Sequence, residues 1–289
     1  MSPIRSGSAT KPRSVLRSLH GRRVLLAFVA GLVMLTASGC SQQDVDEWRR
    51  LGFPEPATQE APRILTLWQG SWAAAIAVGL VVWGLIIWSS IFHRKKGEDL
   101  PPQVRYNLPV EAIYTIVPFI IILVLFYFTA RDQSELLKLR DDPDVTVNVV
   151  GKRWSWDFNY IEEDVYATGT PEERPTLVLP EGERVRFELT SPDVIHSFWV
   201  PAWLFKLDVI PGRVNKFEVT PDKQGTFAGR CAELCGVDHS RMLFTVRVVD
   251  RAEYDAFIQS LRDRGQTGQI NTGVARSGVG ESVEGEGSE

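Results

Sequence analysis

The sequence predicts a membrane-anchored all-β protein, with a two-helix transmembrane hairpin near the N-terminus followed by one β-sandwich or barrel. No residue from Ile64 to Phe92 is charged, and none from Ala112 to Ala130. Both runs reach the roughly 20 residues that a helix needs to cross a bilayer. After Asp144 the pattern changes to strict alternation. Val145, Val147 and Val149 alternate with polar residues, as do Val185, Phe187 and Leu189, then Phe217 and Val219, then Phe244, Val246 and Val248. A period of two over short stretches bounded by Gly and Pro is the signature of half-buried strands. The chain of 289 residues leaves about 130 outside the membrane, enough for one domain with a real core.

The elements follow in order. Residues 1–23 are polar and basic, and Arg17, Arg22 and Arg23 lead into the apolar run Val24 to Ala37, which ends at Ala-Ser-Gly-Cys. This pattern reads as a signal peptide over residues 1–39. Its cleavage region has the form of a lipoprotein site, with Cys40 as the lipidated first residue of the mature chain, although Ala37 stands where such sites usually carry Leu. An uncleaved anchor or a shifted start codon are the other readings. Residues 40–63 form an external segment, and 64–130 the hairpin, with spans at about 66–91 and 112–130. A buried helix of a soluble protein would explain either run alone, but two runs closing a charged loop favour the hairpin. That loop carries Arg94, Lys95, Lys96 and Arg105. By the positive-inside rule it is cytoplasmic, so the mature N-terminus and everything after Arg131 lie outside, with Trp68, Trp72, Trp88 and Tyr127 as interfacial aromatics.

The external domain covers residues 131–264 and closes on an amphipathic helix from Asp250 to Arg264, whose apolar stripe is Tyr254, Phe257, Ile258 and Leu261. The Gly, Ser and Glu content of residues 265–289 predicts a disordered tail. There is no internal repeat. The net charge of −4 averages over unlike regions and describes no single surface.

The chemistry concentrates in Cys-Ala-Glu-Leu-Cys-Gly-Val-Asp-His-Ser-Arg-Met, residues 231–242. Two thiolates, an imidazole and a thioether in one loop are a soft ligand set that selects copper over the oxygen-seeking cations. An exported Cys-x3-Cys pair also suits a disulfide, which explains neither His239 nor Met242. Zinc accepts the thiolates and imidazoles, but has no use for Met242. Of the four histidines, His20 lies in the leader and His93 beside a span, leaving His196 and His239. His196 follows the turn signal Ser-Pro-Asp and opens the strand-like run His-Ser-Phe-Trp-Val. A lone histidine beside aromatics is usually a packed core residue. The downstream loop lacks a second imidazole, and that makes His196 a ligand candidate.

These two segments resemble the binuclear copper A site of subunit II of the haem-copper cytochrome c oxidases, through Cys-x-Glu-x-Cys-x3-His-x2-Met and the upstream Asp-Val-Ile-His-Ser-Phe. The resemblance spans about residues 64–262. It implies a cupredoxin-like Greek-key barrel or sandwich, with the metal loop joining the last two strands. It further implies that Cys231 and Cys235 bridge two coppers, that His196 and His239 each cap one, and that Met242 and the backbone carbonyl of Glu233 are weak ligands. The Glu233 carboxylate would reach a magnesium ion shared with subunit I. Sharing one electron over two bridged coppers keeps bond-length changes small, and a scaffold that excludes water, helped by Met242 and Phe198, serves the same end.

The implied function is that of subunit II of an aa3-type cytochrome c oxidase in a bacterial plasma membrane. It would take electrons from cytochrome c, or from a membrane-tethered c-type cytochrome, and pass them to haem in subunit I, where oxygen becomes water with proton translocation. Subunit III is a further implied partner. Within Gly-Lys-Arg-Trp-Ser-Trp-Asp-Phe, residues 151–158, Trp154 matches the residue through which electrons arrive, although paired tryptophans often only pack a core. Within Pro-Val-Glu-Ala-Ile-Tyr-Thr-Ile-Val-Pro, residues 109–118, Glu111 matches the carboxylate at the entrance of a proton path, although a carboxylate there also suits a helix N-terminus. Asp157, Asp193, Asp208 and Asp238 lie near the site in sequence and are candidates for steering a cationic donor. No Cys-x2-Cys-His haem motif occurs. A quinol oxidase subunit would lack the ligands, nitrous oxide reductase would add a large soluble domain, and a copper-delivery lipoprotein would be rich in exposed Met or His. This chain has three Met.

Overall fold

The computed structural model describes residues 41–97 and 102–270. The expected signal peptide and Cys40 lie outside them. The chain divides into two compact units, the first ending at Gly52. Within the first, helix α1 (Gln42–Arg49) is started by a capping box in which Ser41 and Asp44 satisfy each other's backbone N–H groups.

The second unit begins with an extended strap that ties the hairpin to the β-domain. Ala57 donates to the Ala202 carbonyl at 3.0 Å and Gln59 to the Thr220 carbonyl at 3.0 Å. The Glu60 carboxylate accepts from Thr220 N at 3.0 Å, and Thr58 forms an antiparallel bridge with Pro221. Helices α2 (Ala61–Phe92) and α3 (Leu108–Leu136) follow, and both are long and apolar enough to cross a membrane. They overrun the uncharged stretches because polar residues continue each helix beyond its apolar part. Hydroxyls within α2 cost the apolar helix little, since Thr66 and Ser71 return theirs to the Pro62 and Leu67 carbonyls one turn back. At the far end of α3, Asp132 is buried and bonded by Arg63 at 3.2 Å and Arg131 at 2.8 Å, which joins the outer ends of the two helices.

The β-domain is a sandwich of ten strands: β1 (Val145–Lys152), β2 (Ser155–Tyr160), β3 (Val165–Thr168), β4 (Thr176–Pro180), β5 (Val185–Thr190), β6 (His196–Val200), β7 (Phe205–Val209), β8 (Asn215–Val219), β9 (Gly225–Cys231) and β10 (Leu243–Val249). One sheet has the order β3-β2-β1-β5-β8 and the other β4-β10-β9-β6-β7. Parallel pairing of β1 with β5 and of β4 with β10 requires crossovers between otherwise antiparallel neighbours. This is the cupredoxin-like sandwich expected, and the metal loop does join β9 to β10.

The alternating residues named from the sequence face the interior. Val145, Val147, Val149, Phe187, Leu189, Phe217, Phe244 and Val246 all belong to one core with Trp156, Phe158 and Tyr160. Tyr160 fastens one sheet to the other, since its hydroxyl accepts from Val178 N at 2.9 Å and donates to the Val178 carbonyl at 3.1 Å. Helix α4 (Arg251–Asp263), capped by Asp250, buries Tyr254, Ile258 and Leu261.

Gln266 to Ile270, assigned from composition to the disordered tail, instead run along β3. Tyr166 N donates to the Gln266 carbonyl, Val165 bridges Thr267, and the Asn159 side-chain amide both donates to and accepts from the Ile270 backbone. Composition misses this because the unpaired edge of β3 supplies backbone hydrogen bonds that do not depend on apolar side chains.

Candidate metal centre

Two segments distant in sequence meet at one end of the sandwich. His196 opens β6, Cys231 closes β9, and Phe198 pairs with Cys231 across the two strands. The loop then turns back on itself, with Ala232 N donating to the Ser197 carbonyl, His239 N to the Gly236 carbonyl and Cys231 N to the Met242 carbonyl. A short 3-10 turn, His239–Arg241, brings Met242 under the loop.

The Sγ atoms of Cys231 and Cys235 lie 3.8 Å apart. A disulfide needs about 2.05 Å, so the thiols are free. Each thiol faces its own imidazole: Cys231 Sγ is 3.9 Å from His196 Nδ1, and Cys235 Sγ is 3.6 Å from His239 Nδ1. Met242 Sδ stands 3.7 Å from Cys235 Sγ, and the Glu233 carbonyl oxygen stands 3.2 Å from Cys231 Sγ. The donor atoms of His196, Cys231 and Cys235 lie within 4.8 Å of one another. All six residues assigned from the sequence therefore converge, with two sulfurs central, nitrogens on either side and one weak donor near each sulfur. That donor set fits copper, because soft sulfur and imidazole are the ligands copper prefers. Met242 and His196 are wholly buried and Phe198 is nearly so, which keeps water from the site.

Burial on its own would raise the Cys231 thiol, but hydrogen bonding from His196 and the loop backbone outweighs it and brings the thiol down to about 6. Burial raises Cys235, and the neighbouring Cys231 adds to this. Two thiolates this close repel, and a bound cation relieves that repulsion.

The second nitrogen of His196 is held by Asp193, with Nε2 2.9 Å from Oδ1. Asp193 also accepts from the backbone N–H groups of Arg153 at 2.8 Å and Val194 at 2.6 Å. It fixes the ring with Nδ1 toward the sulfurs and anchors the β1–β2 turn. Sequence alone suggests a steering charge at Asp193 and misses this role. The Asp-x-x-His spacing is the signal that could have found it, because a ligating imidazole needs a partner for its other nitrogen. Replacing Asp193 with Ala is expected to weaken copper retention about 10–100-fold, measured by competition with a chelator. Parental retention would show that His196 needs no such support.

Asp157 corrects the steering idea outright, because it is completely buried. Its carboxylate pairs with Lys152 at 2.7 Å and accepts from the Thr168 hydroxyl at 2.5 Å. Residues on β2 alternate between faces, and Asp157 falls on the face where Lys152 and Thr168 stand on neighbouring strands. Asp238 is turned toward Arg241 at 3.5 Å, and Asp208 is half-buried on β7.

Trp154 sits in the turn between β1 and β2 and donates from Nε1 to the Cys235 carbonyl at 3.1 Å. It packs so closely on Gly236 that a Cβ there would lie 2.9 Å from Nε1, and Gly236 has φ +128°. Only glycine suits both the backbone and the contact. Trp156 is the wholly buried neighbour, packed edge-on against His196, Phe198 and Phe244. Glu111 lies far along the chain at the start of α3. There its carboxylate accepts from Asn107 N at 3.0 Å, while Asn107 Oδ1 accepts from Val110 N at 3.5 Å, an arrangement that closes the helix N-terminus.

A sequence profile of the family described as "Cytochrome C oxidase subunit II, periplasmic domain" matches residues 172–249. "Probable cytochrome c oxidase subunit 2" of Streptomyces avermitilis is 52% identical, over 96% of this chain and 97% of that protein. "Cytochrome c oxidase subunit 2" of Mycobacterium tuberculosis is 37% identical, over 84% of this chain and 82% of that protein. The crystal structure of the periplasmic domain of subunit II of cytochrome oxidase (CoxB) of Bradyrhizobium japonicum is 31% identical, covers 44% of this chain and 99% of that one, and has a TM-score of 0.40. With more than half its residues shared across nearly full length with such a relative, and the copper-type donor set assembled at the end of its sandwich, the chain belongs to the cytochrome c oxidase subunit 2 family.

Proposed function

We propose that the chain is the electron-accepting subunit of an aa3-type oxidase in a bacterial plasma membrane, crossing it twice with the β-domain outside. The observation that carries the reading is the doubling of the donor set, with one imidazole and one weak donor for each of two thiols 3.8 Å apart. Such a set suits a binuclear copper A centre, which when bound supplies a one-electron store. Cys231, Cys235, His196 and His239 would hold the metals. Met242 and the Glu233 carbonyl would complete the set, with the Glu233 carboxylate, which is exposed, left for a magnesium ion at subunit I. The protein holds these groups in a dry, hydrogen-bonded frame, so that little has to move when charge changes. Copper analysis and electron paramagnetic resonance of the full chain test this: two coppers per chain and hyperfine structure from one electron shared by two nuclei support it, whereas one copper with a mononuclear spectrum removes it.

The donor would be cytochrome c or a membrane-tethered c-type cytochrome, and the electron would pass to haem in subunit I for reduction of oxygen to water, coupled to proton translocation, with subunit III in the same assembly. Trp154 is suited to receive the electron because it is part-exposed and its indole bonds to the backbone of a thiol ligand. Trp154→Ala is expected to leave copper content unchanged and to slow reduction by cytochrome c at least about tenfold, since a small misplacement of a transfer partner has large kinetic effects. Stopped-flow reduction that matches the parent would take Trp154 off the route.

Glu111 is proposed to stand at a proton-path entrance formed with subunit I. Glu111→Gln keeps a side-chain acceptor for Asn107 N while removing the titratable group, so helix stability should hold while proton-coupled turnover of the assembled oxidase falls. Turnover at the parental rate would leave Glu111 with the capping role alone.

A further inference from the structure

A cavity of about 410 Å³ opens between the two apolar helices. On α2 its wall runs from Thr66 to Ala74, and on α3 from Ile120 to Asp132. Gly70, Ser71 and Ala74 keep the α2 side low, while Ile121, Leu125 and Phe128 form the opposite side. Gly70 leaves the gap open, since a Cβ built there would meet no atom within 4 Å. Thr66 and Ser71 turn their hydroxyls back to their own helix, so the wall offers an occupant little polarity.

The groove is polar at one end only, where Arg131 and Asp132 close it at the outer end of α3. The Arg131 guanidinium lies 4.8 Å from the centre of the Phe128 ring, which holds it at the rim. It donates to Asp132 Oδ1 from Nε at 2.9 Å and from Nη2 at 2.8 Å, and Arg63 donates to the same oxygen at 3.2 Å. Two cations therefore share one buried carboxylate, and Nη1 of Arg131 has no acceptor among the described residues. Glu135, exposed one turn further out, is the other acid near this end.

Length decides what fits such a groove. Ile120 to Arg131 rise about 16 Å along the helix, close to half of the roughly 30 Å hydrocarbon core of a bilayer. The groove thus runs from the outer boundary to about the midplane, the depth of one leaflet. A partner's spanning helix would need a groove through the whole thickness, whereas an acyl chain of the outer leaflet needs only this half. We infer that the groove between α2 and α3 binds a glycerophospholipid of the outer leaflet, one acyl chain lying along Gly70 and Ala74 and the phosphate seated on Arg131. The inference rests on the membrane-crossing orientation proposed above. A guanidinium group suits the phosphate because it offers N–H donors in a planar fork.

Native mass spectrometry of the full chain, delipidated in detergent and titrated with two probes, tests the proposal. One probe is dioleoyl phosphatidylglycerol, and the other is dioleoylglycerol, which has the same chains and no phosphate. The phospholipid should bind as a single molecule per chain, about tenfold or more tightly than the diacylglycerol. Arg131→Gln should erase that difference while Arg63 remains on Asp132. Gly70→Leu, which fills the groove, should abolish binding of both probes, and the open space at Gly70 lets the helix accept the larger side chain. Binding of the phospholipid without saturation, or a Gly70→Leu chain that holds it as the parent does, would overturn the proposal. So would a Gly70→Leu chain that keeps the phospholipid but no longer assembles with subunit I, which would assign the groove to a protein partner. A chain that failed to enter nanodiscs would refute the spanning orientation itself, and copper analysis of the same samples reports separately on the metal centre.

Discussion

Cys231→Ser is expected to abolish the paired copper site proposed for this chain. The substitution replaces a soft, readily ionised sulfur by a hydroxyl that stays protonated at neutral pH and is a poor copper ligand. Cys231 stands 3.8 Å from the Cys235 sulfur, 3.9 Å from the His196 nitrogen and 3.2 Å from the Glu233 oxygen. Losing it therefore removes the contact that joins one half of the donor set to the other. The remaining Cys235, His239 and Met242 can hold a single copper at most. Copper per chain should fall from two to one or none, and the spectrum of an electron shared between nuclei should disappear. The fold should survive, because serine keeps the size of the side chain and the Cys231 N to Met242 carbonyl bond is made by backbone. A normal dicopper spectrum in this variant would refute the assignment of the centre.

Trp156→Ala should be the most damaging change outside the ligands. Its side chain is wholly buried, packs edge-on against Phe198 at 5.7 Å and Phe244 at 5.4 Å, and contacts His196 at 6.2 Å. Its Nε1 donates to the Met242 carbonyl at 3.4 Å. Truncation leaves a cavity between the sheets and costs about 3–5 kcal/mol, a large part of the roughly 5–15 kcal/mol by which domains are usually stable. The domain should unfold at a markedly lower temperature, and copper should bind more weakly because His196 and Met242 both lose a neighbour. Trp156→Phe keeps the packing and should lose much less. If the alanine variant melted with the parent in a calorimetric scan, the ring would not be the keystone that its contacts make it.

The strands and the cluster of soft donor residues are legible in the sequence for the same reason: both are short-range patterns. A period of two places Val145, Val147 and Val149 on one face whatever the rest of the chain does, and the loop from Cys231 to Met242 carries all the proposed donors except His196. The spans need only length and absence of charge. The roles of the charged residues are not legible. Asp157 and Asp193 are both acids close to the site in sequence, yet one is buried against Lys152 and the other holds the His196 ring. Burial and partnership depend on which strands become neighbours, and β1 pairs with β5, a strand well downstream in the chain.

The course of Gln266 to Ile270 shows the same division. Their composition is that of a tail, but the free edge of β3 gives their backbone a place to bond. The two apolar helices, the all-β class and the soft character of the 231–242 loop could be read residue by residue, because they follow from local periodicity, length and residue chemistry. Folding in three dimensions was needed to bring His196 to Cys231 and to set Asp193 behind it. Those are matters of register between segments far apart in the chain, and register is set by how the two sheets close on their common core.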